Sequence, residues 1–401
     1  MAARNVGRNR RRSAITGVAI LFGVFAVLIL RGFIEGTQTL MTDDVVKGRS
    51  GALQIHKKGF MDSKEASPTS LNIPYDEGLL ERIRAVPNVK AASGRVQFQG
   101  LISNGAVQTM VVARGVELER EKEVCPWADT TVMPGGRNLK AGDEKLGLIG
   151  YELGETFKVK PGQTVTVQTS SPGGRSNALD VEVVGLTSSN FPFENKRVMT
   201  LPLKSAQSLV GLEGRVTEIA VAVHDIGKLD QTVAALEKEL GPEFEVHGWQ
   251  ALQPFVRDVI NRQALVLGMI SAFLAIIVIT GIVNTMLMSV FERVREIGTL
   301  LAVGVRRRQV MGMFILEGAL LGLLGGVIGA VLGKLVLALI SLKGIPLQLA
   351  STSAKSMLRP DASLKWVLGA VVVAVLGAVL AAAWPAFRAS RLNPVDALRN
   401  A

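Results

Sequence analysis

Residues 310–340 read VMGMFILEGALLGLLGGVIGAVLGKLVLALI, an apolar stretch with one acidic and one basic side chain, Glu317 and Lys334. A helix needs about 20 predominantly apolar residues to cross the hydrocarbon core of a bilayer, so this stretch predicts a transmembrane helix. Residues 14–34, 264–291 and 364–384 pass the same test. The chain of 401 residues, 48% of them hydrophobic, is therefore predicted to have four spans.

Basic side chains flank these spans and indicate their orientation, because positive charge is enriched on the cytoplasmic side. The excess lies in residues 1–13, 292–309 and 385–401. We therefore predict a multi-pass protein with both termini in the cytoplasm. A cleaved signal peptide is the alternative for residues 14–34, but that stretch is longer than the apolar core of a signal peptide and no small-residue cleavage site follows it.

The formal net charge of +11 is unevenly distributed. Residues 35–262 contain 26 basic and 29 acidic side chains, a net charge of −3, which leaves +14 for the rest of the chain. A strongly basic protein often binds nucleic acid, but here the basic excess lies beside the spans and determines topology. No nucleic-acid partner is predicted.

Residues 35–262 predict a large α+β domain outside the membrane. Helix patterns are followed by strand patterns near both of its ends, at 76–86 with 89–105 and, after a strand at 217–224, at 228–240 with 244–248. Between them, residues 161–167 and 179–186 alternate apolar and polar side chains beside turn residues, which is typical of β-strands. We therefore expect a split α/β module, residues 35–114 and 213–262, with a β-rich insert at residues 115–212.

No catalytic residue, bound cofactor or metal site is predicted. One Cys and three scattered His exclude a disulfide framework and a multi-cysteine or histidine metal cluster. Cys125 lies in a Val-Cys-Pro-Trp segment with no neighbouring His, which favours a buried structural residue over a nucleophile. The run from Gly329 to Leu335 approaches a phosphate-binding loop, but it is one residue short, lacks the hydroxyl side chain and lies inside a span.

Residues 292–303 predict a short cytoplasmic helix between the second and third spans, ended by Gly304. One arc of this helix is apolar and the other is charged; the residues are Val294, Ile297 and Leu301 against Glu292, Arg293 and Glu296. A helix lying on anionic lipid is one interpretation. We favour a docking helix for the groove of a cytoplasmic partner, because its rim carries both signs of charge.

Small residues recur at every fourth position of the third span. They form two adjacent lines, Gly318, Gly322 and Gly326, and Gly325, Gly329 and Gly333. Such lines allow helix backbones to approach closely in lipid, so both are predicted to be packing surfaces, within the chain or across a dimer. Glu317 is expected to face protein, either paired with an Arg at the cytoplasmic edge or acting in coupling.

Several of these segments resemble the FtsX/MacB-type permease domain of ABC transporters. The hallmark run is Arg295-Glu296-Ile297-Gly298-x-Leu300-x-Ala302-x-Gly304, followed by Arg308-Gln309-Val310 and Phe314-x-x-Glu317-Gly318. The segments from Arg4 to Arg12 and from Pro385 to Arg399 resemble the start and end of the same domain. Gly51-Ala52-Leu53-Gln54-Ile55-His56 with Gly59-Phe60 is similar to the lipoprotein-releasing LolC/LolE-like branch. The resemblance extends over the whole chain.

The resemblance implies a type VII, mechanotransmission ABC permease: an α-helical membrane protein with four transmembrane helices plus a large α+β extracytoplasmic domain. In that family the outer domain has a porter-like module with a sabre-like insert, and residues 263–401 would be the FtsX-type permease domain. Two permease copies, identical or homologous, each pair with a cytoplasmic ATPase, so ATP and Mg are expected on that partner. The ATPase would contact the coupling helix, through Glu292, Arg293, Arg295, Glu296, Ile297, Leu300 and Leu301.

Within this family, we predict that the permease releases lipoproteins or similar lipidated cargo from a bacterial inner membrane to a periplasmic carrier. MacB-like efflux of peptides, drugs or toxins, with a periplasmic adaptor and an outer-membrane duct, is one alternative. An FtsX-like scaffold that activates a cell-wall hydrolase is another, although that branch has a smaller outer domain.

Overall fold

A computed structural model describes residues 10–63, 65, 67–127, 132–189, 191–347 and 356–391. The chain divides into a helical unit, Met1–Thr39, Val259–Ile345 and Met357–Ala401, and a sheet unit, Leu40–Asp258 and Pro346–Ser356. Most of the basic N-terminal motif and the end of the C-terminal motif, beyond Arg391, lie outside the described residues.

Long helices occupy both ends of the described chain, and short helices alternate with strands between them. The α-helices are α1 (Arg10–Val45), α2 (Glu77–Ala85), α3 (Leu118–Val124), α4 (Tyr151–Phe157), α5 (Pro192–Arg197), α6 (Leu203–Val210), α7 (Leu229–Leu240), α8 (Trp249–Leu252), α9 (Pro254–Glu292), α10 (Val294–Ala302), α11 (Arg307–Lys343) and α12 (Leu364–Ser390). The β-strands are β1 (Leu53–Lys57), β2 (Ile73–Pro74), β3 (Val89–Ser103), β4 (Gln108–Val116), β5 (Leu146–Gly150), β6 (Gln163–Ser170), β7 (Ser176–Thr187), β8 (Val198–Pro202), β9 (Arg215–Val216), β10 (Glu218–Val223), β11 (Phe244–Gly248), β12 (Ile345–Leu347) and β13 (Ser356–Leu358). A π-helical turn, Val46–Ser50, follows α1 directly.

Four helices in the described part of the chain are long and apolar enough to cross a membrane: α1 from Ala14 onward, α9, α11 and α12. Each predicted span lies inside one of these helices, and each helix is longer than its span. α1 continues past residue 34 to Val45, and α9 begins at Pro254, well before residue 264. The hydropathy pattern marks the apolar part of a helix, whereas the backbone hydrogen bonds continue into polar sequence at its ends.

The four long helices share one apolar core. Ile20 and Leu28 of α1, Ile282 of α9, Leu337 of α11 and Ala378 of α12 are fully buried in it. Burial of apolar side chains between helices therefore holds the helical unit together, and large side chains on the opposite helix faces stay exposed.

The main sheet has nine strands in the order β11-β1-β10-β3-β4-β8-β5-β7-β6, and β6 also pairs with β3. This additional pairing joins Leu101–Ser103 to Thr166–Gln168. It closes β3, β4, β8, β5, β7 and β6 into a six-stranded barrel. Closure pairs the edges that an open sheet would leave exposed.

The strand β3 belongs to both halves of the sheet. Its first part pairs with β10 up to Arg95, and the rest, from Arg95 to Ser103, pairs with β4. The barrel therefore begins within β3 and not at residue 115, where the sequence placed the start of the insert. Alternation of apolar side chains predicts a strand but not its partner, which is why the boundary was misplaced.

The predicted helix and strand segments of the split module are present as α2, β3, β10, α7 and β11. The carboxylate of Asp76 accepts a hydrogen bond from the backbone N–H of Leu79 at 2.8 Å and so caps α2. Leu80 and Ile83, three residues apart on α2, are fully buried. The amphipathic pattern and its cap thus account for this helix.

Candidate functional site

The helix α10 joins two membrane-crossing helices through tight turns. One residue, Arg293, separates it from the end of α9, and Gly304, two residues after its own end, has a φ of +94°. Residues with a Cβ rarely adopt this backbone conformation, so glycine permits the turn. The backbone N–H of Val305 donates to the carbonyl of Leu300 at 3.0 Å. The chain then enters α11 at Arg307.

The apolar arc of α10 packs against the chain's own helices. Ile297 is buried in a cluster with Val310 and Phe314 of α11 and with Ala386 and Ala389 of α12. Leu301 is partly buried against the same cluster. The sequence interpretation, in which this stripe fills a partner's groove, is therefore corrected. An apolar stripe marks the buried side of a helix without indicating which surface covers it.

The exposed face of α10 and of the residues beside it carries side chains of several chemical classes. It contains acidic, basic, hydroxyl and apolar side chains: Phe291, Glu292, Arg295, Glu296, Thr299, Leu300 and Val303. Leu300 is 37% exposed and Val303 is 80% exposed. Thr299 and Val303 were not singled out from the sequence, although they continue the helical spacing of Arg295 at intervals of four.

Arg293 does not belong to this surface, contrary to its predicted position on the charged arc. Its side chain is buried, and its Nη1 lies 3.6 Å from Oε2 of Glu317 on α11, which is buried as well. A turn of the backbone between α9 and α10 changes the direction of the side chain, so extrapolation of one regular helix from residue 292 fails. The structure thus places Glu317 beside an arginine at the end of the bundle.

The two glycine lines of α11 contact two different helices. A Cβ at Gly322 would lie 2.7 Å from Cβ of Ala378, and one at Gly318 equally close to Cβ of Ala382, both on α12. A Cβ at Gly329 would lie 2.6 Å from the carbonyl oxygen of Leu21 on α1. The line facing α12 is Gly318, Gly322 and Gly326, and the line facing α1 is Gly325, Gly329 and Gly333.

The glycines that resembled a phosphate-binding loop are therefore helix-packing residues. Lys334, next to them, pairs with Asp361 and donates to the carbonyl of Ala362 at 2.7 Å. No group of three metal-ligating side chains occurs among the described residues.

Cys125 is buried in the sheet unit, where Nη2 of Arg95 donates to its Sγ at 3.1 Å. Burial raises the pKa of the Cys125 thiol to about 11, although Arg95 opposes the shift. A thiol that stays protonated at neutral pH is a poor nucleophile, in agreement with the structural role that the sequence indicated.

Comparison with known families covers both units. Residues 13–239 match the family described as the MacB-like periplasmic core domain, and residues 268–394 match the FtsX-like permease C-terminal family. The first match alone extends over more than half of the chain.

Individual proteins are similar to this chain at low identity. An uncharacterized ABC transporter permease of Methanocaldococcus jannaschii is 24% identical, over 99% of this chain and 96% of its own length. The macrolide export ATP-binding/permease protein MacB of Bordetella avium is 26% identical over 99% of this chain, but the match spans 59% of that longer protein. The crystal structure of the periplasmic region of MacB from Actinobacillus actinomycetemcomitans covers 51% of this chain at 13% identity, with a TM-score of 0.35.

Proposed function

Because the chain belongs to the family of ABC transporter permeases that combine a MacB-like periplasmic core domain with an FtsX-like C-terminal domain, we propose that it is the permease subunit of an ATP-driven exporter. The exposed face of α10 would be the docking surface for a separate cytoplasmic ATPase. This proposal rests on one observation: one side of α10 is buried against α11 and α12, and the opposite side is exposed.

One side of α10 packs against other helices of the chain, and the other side is exposed. Ile297 is buried among side chains of α11 and α12, and Arg293 is tied to α11 by its ion pair with Glu317. Arg295 and Leu300 project from the opposite side. A partner that pushes on this face would therefore move the ends of several helices together, because the buried side transmits the displacement through packed side chains.

The proposed assembly contains two ATPase copies, which bind ATP and Mg, and a second permease copy. The basic excess of the chain outside residues 35–262 supports an orientation with both termini in the cytoplasm and the sheet unit on the periplasmic side of an inner membrane. Large apolar side chains of α9, among them Phe273 and Ile276, are exposed and suit contact with lipid or with the second permease.

The proposed cargo is a small exported molecule. The relative from Bordetella avium is named for macrolide export, which favours export over the lipoprotein release expected from the sequence. Lipoprotein release toward a periplasmic carrier and activation of a cell-wall hydrolase remain predictions. Crosslinking in native membranes separates them: export predicts an adaptor beside the sheet unit, whereas release predicts lipidated protein and the scaffold predicts a hydrolase.

The docking proposal is tested by co-purification from native membranes in mild detergent. We expect nucleotide hydrolysis to accompany the tagged full-length chain. Arg295→Glu and Leu300→Asp should each reduce this activity about tenfold, as expected when a central interface residue is lost. Arg175→Glu, a charge reversal at an exposed position of the sheet unit, is the matched control. Retention of the ATPase by both α10 variants, or its absence from the wild-type preparation, would refute the proposal.

A further inference from the structure

The outward face of the barrel forms the floor of a cleft in the sheet unit, with a volume of about 800 Å³. Residues paired across an antiparallel ladder share a face, and the register pairs Gln97 with Arg114 and Gln99 with Val112. Phe98 and Ala113, which alternate with them, are fully buried inside the barrel. The floor therefore carries amide and arginine side chains, while the apolar face of the same strands fills the interior.

Other segments of the sheet unit form the walls of the cleft. The π-helical turn contributes Arg49, the loop after β1 contributes Phe60 and Met61, and Leu252 and Gln253 close another side. The volume lies within the range of about 300–1,000 Å³ that is typical of small-molecule sites.

Positive charge predominates in the cleft. Four cationic side chains and two carboxylates are among the described residues that line it: Arg49, Arg114, Lys196 and Arg197 against Glu194 and Glu218. Glu194 is shared by two of the cations, at 2.9 Å from Nε of Arg49 and 3.4 Å from Nη2 of Arg114. Both carboxylates are engaged with arginine. Lys196 and Arg197 are exposed at the barrel side of the cleft. Nζ of Lys196 lies 3.5 Å from a carboxylate oxygen of Glu152, but an ion pair this exposed contributes little free energy and leaves the ammonium able to contact a ligand.

Exposed apolar side chains lie beside these cations. Phe193 precedes Lys196 on α5 and is 55% exposed, and Met110, at the end of the floor, is 54% exposed. Arg197 donates to the backbone carbonyl of Met110 at 3.1 Å, which keeps the cation and the apolar side chain together. A ligand that fits this lining has an anionic group, an apolar group and several hydrogen-bonding groups between them.

We propose that this cleft binds a short acidic peptide with apolar side chains. Its carboxylates would contact Lys196 and Arg197, and its apolar side chains would contact Phe193 and Met110. The peptide backbone would exchange hydrogen bonds with the amides of Gln97 and Gln99, which donate and accept as a peptide group does. The interpretation of this peptide as a class of cargo rests on the proposed export function, but binding of the peptide to the cleft does not depend on that function.

The test measures binding to the full-length chain in nanodiscs of zwitterionic lipid, without ATP or ATPase. The probe is the peptide acetyl-Phe-Glu-Leu-Glu-amide, and its neutral counterpart has Gln in place of both Glu. Isothermal titration should show that the acidic peptide binds and that the neutral one binds about tenfold more weakly, because charge-assisted contacts typically account for that much affinity. Raising the salt concentration should weaken binding of the acidic peptide alone.

Two variants locate the site. Substituting both Lys196→Gln and Arg197→Gln should weaken the acidic peptide about tenfold and leave the neutral peptide unchanged, whereas Phe193→Ser should weaken both. Arg175→Gln, on the exposed turn before β7, is the matched control and should change neither. Equal binding of the two peptides, or binding that is insensitive to the cleft variants, would overturn the proposal. Because the ATPase is absent, a negative result in this titration leaves the co-purification experiment on α10 unaffected.

Discussion

Nη1 of Arg293 lies 3.6 Å from Oε2 of Glu317, and both side chains are less than a tenth exposed. The pair connects the junction of α9 and α10 to the interior of α11. Removal of one partner leaves the other charge buried and uncompensated, which is more costly than the loss of a surface ion pair.

Glu317→Gln should therefore lower the thermal stability of the full-length chain in detergent. The expected loss is about 3–5 kcal/mol, the cost of breaking a buried pair from one side. Arg293→Gln combined with Glu317→Gln should recover part of this loss, because neither charge then remains unpaired. Thermal unfolding of Glu317→Gln, Arg293→Gln and the double variant measures the difference. A double variant that is as unstable as the sum of the single ones would mean that the pair does not interact.

The same double variant distinguishes a structural role of Glu317 from a role in coupling the ATPase to the permease. If Glu317 acts only through its partner, the double variant should retain the ATP-driven function of the assembled complex. Loss of that function in a stable, fully assembled double variant would instead assign Glu317 a part in coupling.

Gly329→Ala should destabilise the helical unit, because the added Cβ meets a backbone oxygen of α1 that has no freedom to move aside. We expect a cost of about 1–3 kcal/mol, typical of overpacking. Gly312→Ala is the control on the same helix, since no atom lies within 4 Å of its Cβ position. It should gain the higher helix propensity of alanine without a clash. Equal melting temperatures for the two variants would be inconsistent with the close contact.

Glu194→Gln tests the charge network of the cleft through its pH dependence. Burial raises the pKa of Glu194, but Arg114 and Arg49 lower it by a larger amount, so the pKa lies below its usual value. A carboxyl group whose pKa is lower in the folded state stabilises the fold above its unfolded pKa of about 4.3, and this contribution disappears as the pH falls through the folded value.

The variant should therefore melt at a lower temperature than the wild type near pH 7, and the difference should shrink below about pH 4.3. Scanning fluorimetry of the full-length chain from pH 7 to pH 3 provides the measurement. Glu213→Gln, at an exposed position, is the control and should leave the profile unchanged. A difference that is constant with pH would exclude the ion pairs as its cause.

Cys125 should react slowly with a thiol reagent in the native protein and rapidly after denaturation. It is the one cysteine of the chain, so the wild type can be used directly. With its pKa raised to about 11 by burial, the thiolate fraction at pH 8 is small. Against an ordinary thiol with a pKa of about 8.5, we expect a rate at least about a hundredfold lower. Rapid native labelling would place Cys125 at the surface.

Local patterns in the sequence predicted the individual elements well. The long apolar runs correspond to α1, α9, α11 and α12, and the glycine lines of α11 lie where helices approach one another. These features depend on interactions between residues close in sequence or on burial as such, which the order of residues records directly.

Pairings between distant segments could not be predicted in the same way. The closure of the barrel pairs β3 with β6, which are more than sixty residues apart in the sequence. Alternation of apolar and polar side chains within one strand does not specify which strand it pairs with or in which register. The burial of Arg293 depends on a turn between two helices. The charges of the cleft come from the π-helical turn, β4, α5 and β10, which are far apart in the chain and meet only in the folded sheet unit.

The glycine lines of α11 also limit how the bundle can change shape. Because one line contacts α12 and the other contacts α1, rotation of α11 about its axis would drive larger side chains into both neighbours. Rotation of α11 relative to α1 and α12 is therefore opposed by contacts on two sides of the helix. A displacement applied at the end of α11 is therefore more easily accommodated as a joint tilt of α1, α11 and α12 than as a rotation of α11 alone.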